Sequence, residues 1–388
     1  MSHPAPPPTL ERVRALRSLI RDEATAQERE TRLAPAVVEA LREAGVYRMA
    51  VPRALGGDEL SPREILAVAE ELSSMDGSTG WVATLAAGNA AIMLPRASQE
   101  ALERVFESGP DPLIVGGAVP MAKAREVEGG WAFESTYNFA SGCLHADWYI
   151  VGAIVMDGDR PRMTERGPAT VAGIMPAGTV PIVGSWDTLG LRATSSLDLD
   201  LAGLVLPQAM TFAGIPAFRP LPQLLYRYSY GYFAIMPPIS LGIALGALEA
   251  FIELAGEKKL QPIRSVVLRD TEQAQELVAR CRGLLDAARA HLTWAWEDVL
   301  HLADGAGNAP DDARAAYHIA ILQTVDAAVE VVDSLHRALG TNAIFAGSPI
   351  ERAFRDVHTA AQHIVVSPQR YISAGRVLMG LEPGTTMF

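Results

Sequence analysis

Cysteine is scarce in this chain: the 388 residues contain two, Cys143 and Cys281. They stand far apart, in no CxxC or Cys/His spacing, so neither a disulfide framework nor a structural metal is expected. Positive charge is in deficit as well. Against 45 Asp and Glu there are 33 Lys and Arg, a formal net charge of −12, which argues against nucleic acid or an anionic membrane as a main partner. Basic pairs such as Lys258-Lys259 are too short to reverse this. No uninterrupted apolar run reaches the length of a membrane span, because the longest candidate, Phe233–Ala255, carries two prolines and two glutamates. The start, Met1-Ser-His-Pro-Ala-Pro-Pro-Pro, lacks the basic region and apolar run of a signal peptide. It reads as a disordered tail over residues 1–9, and a cytoplasmic location is the expectation. Walker, GxGxxG, HExxH and GxSxG motifs are missing too. A nucleotide-binding α/β fold is therefore unsupported. Catalysis would rest on a bound organic cofactor, or on His, Ser and Arg brought together in space.

What is present is a change of periodicity along the chain. Residues 9–46 carry apolar positions at helical spacing, stopped by Gly45. Ser61-Pro-Arg-Glu64 is a capping box opening a helix to about Ser73, and Gly80-Trp81 starts another through Met93. Pro95–Glu107 is one more. From Asp111 the pattern turns to short runs rich in β-branched and aromatic residues: Leu113-Ile-Val, Ala124–Val127, Trp131–Tyr137, Trp148–Val155, Thr170–Met175 and Leu197–Leu206. Glu128-Gly129-Gly130 is a hairpin signal, and with no helices between the runs an antiparallel barrel or sandwich is expected. After Pro220 helical spacing returns, with Ile239–Glu257, Thr271–His301, Asp311–Leu339, Ile350–His363 and Gln369–Met379. Gly242, Ala244, Gly246 and Ala247 on the first of these suit a close helix–helix approach. The expected fold is α+β and mostly α: an N-terminal helical domain (1–110), a central β domain (111–212) and a C-terminal helix bundle (213–388).

Four stretches could carry chemistry, each with a plainer alternative. Tyr137–Trp148 ends a hairpin with Ser141-Gly142, which would offer backbone N–H groups and a hydroxyl to a ligand edge; the plain reading is an ordinary turn. Ser185–Asp198 combines Trp186, Arg192 and the hydroxyls of Thr194, Ser195 and Ser196, or is simply a polar loop. Leu335–Pro349, with Arg337, Gly340 and Thr341, joins a helix end to a helix start and would suit a phosphate, or is a tight connection. The fourth is residues 347–363. Ser348, Pro349 and Glu351 read as a capping box, and Arg352, Asp356, Thr359 and His363 fall on one stripe of the helix. The plain reading there is an intrahelical Arg–Asp pair with a surface His.

The helical–β–helical order, Ser141-Gly142, Gly190-Leu-Arg-Ala-Thr-Ser-Ser196 and Arg352-x-x-Arg355-Asp356 together resemble the acyl-CoA dehydrogenase superfamily over about residues 10–385. Gly80-Trp81-Val-Ala, Phe139–Trp148 and Arg355-Asp356 followed by His363 resemble its flavin-dependent monooxygenase branch, the two-component oxygenases. The resemblance implies a homotetramer using reduced flavin (FMN or FAD) from a separate NAD(P)H:flavin reductase, with O₂ as co-substrate. A C4a-(hydro)peroxyflavin would oxygenate an apolar or aromatic small molecule, a guess also drawn from the aromatic and Met content of Leu224–Met236 and Ala90–Met93. Ser141 would sit at the N5/O4 edge of the flavin. Trp81, Gly142, Trp148 and Trp186 would frame the flavin pocket. Arg192, Ser195 and Ser196 would contact the ring, its phosphate or the substrate mouth. Arg337, Gly340 and Thr341, from a neighbouring subunit, would hold phosphate. His363 would lie by the reactive face, hydrogen-bonding the adduct or exchanging a proton with it near neutral pH.

Two features separate alternatives. Acyl-CoA dehydrogenases or oxidases need a carboxylate base, typically nine residues after the Arg of the Arg-Asp pair, where this chain has Ile364. Phenol hydroxylases of the branch carry a His in the helix after Gly-Trp, where this chain offers Asn89; His145 is the substitute considered for that role. A flavin-less scaffold is the remaining reading.

Overall fold

In the computed structural model, residues 8–165, 167–213, 218–258 and 266–385 are described. Six helices come first: α1 (Pro8–Ala15), α2 (Arg17–Glu30), α3 (Pro35–Glu43), α4 (Pro62–Met75), α5 (Gly77–Met93) and α6 (Gln99–Val105). Local chemistry sets their starts. Ser61 accepts from the Glu64 N–H while the Glu64 carboxylate accepts from the Ser61 N–H, the capping box read from the sequence. Asp76 caps α5 through Thr79. Of the expected tail, residues 1–7 lie outside the described residues. Pro8 and Thr9 are already helical, and the Thr9 hydroxyl donates to Asp58 at 2.7 Å.

The strands are β1 (Ile114–Val127), β2 (Gly130–Glu134), β3 (Thr136–Ala140), β4 (Trp148–Asp157), the two-residue β5 (Arg160–Pro161), β6 (Met163–Thr164) and β7 (Gly167–Pro168), β8 (Thr170–Pro176), β9 (Ile182–Val183), β10 (Leu197–Asp200), β11 (Leu204–Pro207) and β12 (Thr211–Ala213). The main sheet runs β11-β2-β1-β4-β8-β12, and a second sheet runs β3-β10-β9. Pairing is antiparallel except between β1 and β4, which run parallel, a departure from the expected all-antiparallel sheet. Two expected strands are each split in two: Ser135 at φ +68° separates β2 from β3, and a turn separates β10 from β11. Register shifts at Gly117, Pro120 and Ala122 bend β1.

Five helices follow: α7 (Pro237–Glu257), α8 (Glu272–Leu302), α9 (Asp311–Leu339), α10 (Pro349–Ala360) and α11 (Gln369–Leu378). Helix α7 packs on α4, α9 and α10. A Cβ on Gly242 or Gly246 would lie 2.3 Å from the Glu70 carbonyl oxygen or 2.4 Å from that of Ser74, so these glycines permit the α4–α7 approach. Contrary to the composition argument, Gly231–Glu257 and Asp311–Ala343 are long and apolar enough to span a bilayer; 78% and 61% of their most apolar windows are buried in the protein, as core helices. The capping box expected at Ser348 does not form. Ser348 makes no side-chain cap, and Glu351 instead pairs with Arg355 Nη2 at 2.9 Å.

Candidate active site

A cavity of about 420 Å³ opens where α5, the bulged part of β1, the 184–196 loop and the segment after α10 meet. One end is polar. Ser141 Oγ accepts from Trp81 Nε1 at 3.1 Å and lies 2.7 Å from Ser196 Oγ, which lies 2.7 Å from Thr194 Oγ1. Thr194 spends its proton on the Leu191 carbonyl at 2.9 Å. Ser196 therefore donates to Thr194 and Ser141 donates to Ser196. The polarity of the chain is fixed, and Ser141 keeps one lone pair for a ligand.

The loop bearing these hydroxyls is pinned from α10. Asp356, buried, accepts from the Leu191 N–H at 2.6 Å and holds Leu191 at φ +51°. Arg355 donates to the Leu189 carbonyl at 3.1 Å and also pairs with Glu28, as does Arg352. A Cβ on Gly190 would stand 2.2 Å from the Arg355 carbonyl oxygen. Burial first, then the neighbouring Asp76, pushes the Asp356 carboxyl up to about 7.

His363 lies just beyond α10, at the start of a 3₁₀ turn over Ile364–Val366. Its Nδ1 accepts from the Val365 N–H at 3.2 Å, so Nε2 carries the proton of the neutral ring. The imidazole meets Trp81 edge-on, centroids 5.5 Å apart. Burial, then the positive charge of Arg370, pushes it down to about 4. Of its two expected roles, the neutral ring favours hydrogen-bond donation from Nε2. The apolar end is built by Tyr232, Phe233 and Ile235 on a 3₁₀ turn (Gly231–Ile235), together with Met236. Tyr317 of α9 fixes that turn by accepting from the Ala234 N–H at 2.9 Å.

Of the residues singled out in the sequence, Trp81, Asn89, Ser141, Trp186, Ser196 and His363 share this wall. Asn89 donates to the Ile114 carbonyl at 3.1 Å, and Trp186 packs edge-on against Phe139. The others lie elsewhere. The N–H groups of Ser141 and Gly142 are not offered to a ligand, because they donate to the carbonyls of Phe139 and Thr194. Ser195 donates to the Thr31 carbonyl at 2.7 Å, and Arg192 is held by the Thr188 carbonyl and Asp187. Trp148 opens β4 away from the cavity. His145 follows Gly142 in a turn and is not among the residues lining the cavity; burial, then Arg32, lowers its pKa. Arg337 lines a separate surface depression with Asp333 and His358, and Gly340 and Thr341 are exposed. Sequence reasoning missed Arg370, which lines the cavity. A cation in the first turn of a helix, against the macrodipole, was the available signal.

The family models for the acyl-CoA dehydrogenase N-terminal and C-terminal domains match residues 11–106 and 234–368. The chain is 30% identical over 382 residues to an indole-3-acetate monooxygenase of Pseudomonas putida, covering 95% of this chain and 93% of the relative. It is 27% identical to an FADH₂-dependent resorcinol hydroxylase oxygenase component of Rhizobium sp., covering 96% and 94%. The crystal structure of the HsaA monooxygenase from M. tuberculosis matches with a TM-score of 0.86 at 26% identity, covering 98% of this chain and 99% of that one. The chain belongs to the acyl-CoA dehydrogenase superfamily. Within it, the relatives place the chain in the flavin-dependent monooxygenase branch.

Proposed function

We propose that the chain is the oxygenase component of a two-component flavin-dependent monooxygenase. It takes reduced flavin, FMN or FAD, from a separate NAD(P)H:flavin reductase and uses O₂ to place one oxygen on an apolar aromatic molecule. One observation carries the choice over an acyl-CoA dehydrogenase: among the described residues no Asp or Glu lines the cavity, so α-proton abstraction lacks its base, while a neutral imidazole and a serine hydroxyl share its wall.

The wall fits a flavin ring, which is flat and apolar with one polar edge. Trp81, Phe139 and Trp186 offer flat apolar surface, and Ser141 offers a lone pair that suits the N–H a reduced flavin presents at N5. Bound reduced flavin supplies the electrons that activate O₂. The protein supplies the rest. Ser141, oriented by Ser196 and Trp81, positions the polar edge. The Nε2–H of His363 donates to a developing negative oxygen without itself changing charge. The apolar residues around Phe233 and Met236 keep water out. Asn89 orients the substrate. Two further assignments belong to the assembly: a homotetramer, and Arg337, Gly340 and Thr341 reaching a neighbouring subunit's flavin phosphate. Free, buried Cys143 and Cys281 accord with a cytoplasmic setting.

The test is a reconstitution with a generic flavin reductase, NADH and a panel of aromatic compounds, scoring oxygenated product by mass spectrometry. Product is expected only with the reductase present. Anaerobic bleaching of the bound flavin by acyl-CoAs, with no need for a reductase, would overturn the reading in favour of a dehydrogenase.

A further inference from the structure

Ser141, Ser196 and Thr194 form a row of hydroxyls whose far end is closed. The Leu191 carbonyl can only accept, and it takes three donors: the Thr194 hydroxyl at 2.9 Å, the Thr194 N–H at 3.2 Å and Trp186 Nε1 at 3.0 Å. Leu191 is itself held by Asp356, so this acceptor is fixed. Thr194 is 1% and Ser196 5% exposed, and their side-chain oxygens lie 2.7 Å apart, too close for a water to stand between them. Ser195, at φ +46° between the two, donates to the Thr31 carbonyl at 2.7 Å and ties the turn to the end of α2. Each proton in the row therefore points away from Ser141 and toward Leu191. Turning the Ser141 proton toward a ligand either reverses the whole row or strands two oxygens 2.7 Å apart with no proton between them. In both cases a hydrogen bond is lost.

A ligand atom that brings its own proton meets the free lone pair of Ser141, whereas an atom that brings a lone pair meets another lone pair. The two redox states of a flavin differ in this respect, since N5 carries a hydrogen in the reduced ring and a lone pair in the oxidised one. Packing alone does not call for a hydroxyl at 194. A valine has the same shape, and the Leu191 carbonyl keeps two N–H donors without it. Resting on the monooxygenase reading above, we propose that Thr194 is a positioning residue that sets the redox preference of the site. By taking the Ser196 proton it fixes Ser141 as an acceptor, so that the cavity takes up reduced flavin and lets the oxidised form go.

The experiment reads the ratio of two affinities. The full-length protein is titrated with FMN and with FAD, oxidised by fluorescence and photoreduced under argon by absorbance, and the midpoint potential of the bound flavin is measured against reference dyes. Wild type is expected to bind the reduced form about tenfold or more tightly, one hydrogen bond being gained by that form and one broken by the other. Each factor of ten raises the potential of the bound flavin by about 30 mV. Thr194→Val should cut the ratio by about fivefold or more, chiefly because oxidised flavin binds more tightly once Ser141 is free to donate, and Thr194→Ser should restore it. General damage to the pocket would weaken both forms together and leave the ratio standing. Because Thr194 acts through Ser141, Thr194→Val should not move the ratio in a Ser141→Ala background. Equal affinity of wild type for the two forms, an unchanged ratio in Thr194→Val, or a Thr194→Val effect that persists without the Ser141 hydroxyl overturns the proposal. If Thr194→Val does not fold, Ser196→Ala, which breaks the row at its next link, decides the matter by the same ratio. The reconstituted assay separates this from the parent reading: oxygenation of aromatics by a protein with no redox preference removes the role of Thr194 and keeps the oxygenase. A Thr194-dependent preference with no flavin-dependent oxygenation of any compound removes the oxygenase reading instead.

Discussion

At His363 one environment does two things: it encloses the ring against Trp81 and, with Arg370, keeps it neutral. The native ring binds fewer protons than the unfolded one between its folded value of about 4 and the ordinary 6.5, so this contribution to stability is present above that window and lost as pH falls through it. Coupling of oxygen transfer should likewise be insensitive to this group near neutrality, with peroxide leakage rising only as pH drops toward about 4. His363→Ala should leak peroxide at neutral pH by several-fold more per NADH consumed, with its circular dichroism unchanged; wild-type coupling in that variant would remove the imidazole from the mechanism. Ser141→Ala makes a complementary case. It deletes the lone pair left over by the Ser141–Ser196–Thr194 chain, so reduced flavin, a donor at N5, should bind more weakly by about 1 kcal/mol, roughly fivefold, while oxidised flavin is affected less. Fluorescence titration of the oxidised form and anaerobic titration of the reduced form would measure the difference. Much of this wall was legible in the sequence because Trp81, Ser141, Ser196 and His363 lie in recognisable stretches. Arg192, Ser195 and Gly142 lie in the same stretches, yet their donors end on nearby carbonyls or Asp187. Spacing alone cannot say which hydroxyl of a polar loop points outward.

The element that transmits precision to the site is α10. Its Asp356 holds the 184–196 loop, and its carboxyl is raised by burial and by Asp76, the cap of α5. A raised folded value means that the native state holds a proton the unfolded state has lost between about 4 and 7, so this residue's contribution to stability falls as pH rises through that window. Asp356→Asn keeps the acceptor for the Leu191 N–H and removes the titration. Its melting temperature should match wild type near pH 4, rise relative to it up to about pH 7, and hold a constant margin above. A margin independent of pH would refute a buried proton on Asp356. Helix starts show how far sequence reads at this scale. The Ser61 box formed as spelled, whereas at Ser348 the same signature did not, because Arg355 takes the Glu351 carboxylate that the box needed. A long-range competitor for one partner is invisible to a four-residue pattern.

At the scale of the whole molecule, the helix–strand–helix order follows from the switch in hydrophobic period, and it held. The parallel β1–β4 pairing did not follow, because it brings together strands separated by a hairpin and a turn. Assembly is the part a single chain leaves open, and its surface speaks to it. Ile372, Leu378 and Met379 of the α11 region are 56%, 67% and 79% exposed, and Ile344 and Phe345, close to the exposed Gly340 and Thr341, are 65% and 68% exposed. Side chains of this size in two groups are expected to be covered by other copies of the chain. Light scattering should give about four times the 41.5 kDa chain mass. A Leu378→Glu/Met379→Glu variant should dissociate. If Arg337 serves a neighbour's flavin phosphate, Arg337→Ala should weaken flavin binding in the tetramer by about tenfold, the worth of one charge-assisted phosphate contact. In the dissociated variant the same substitution should change nothing, since the phosphate contact is already gone. An effect of Arg337→Ala that persists after dissociation would move the phosphate site into the chain's own subunit.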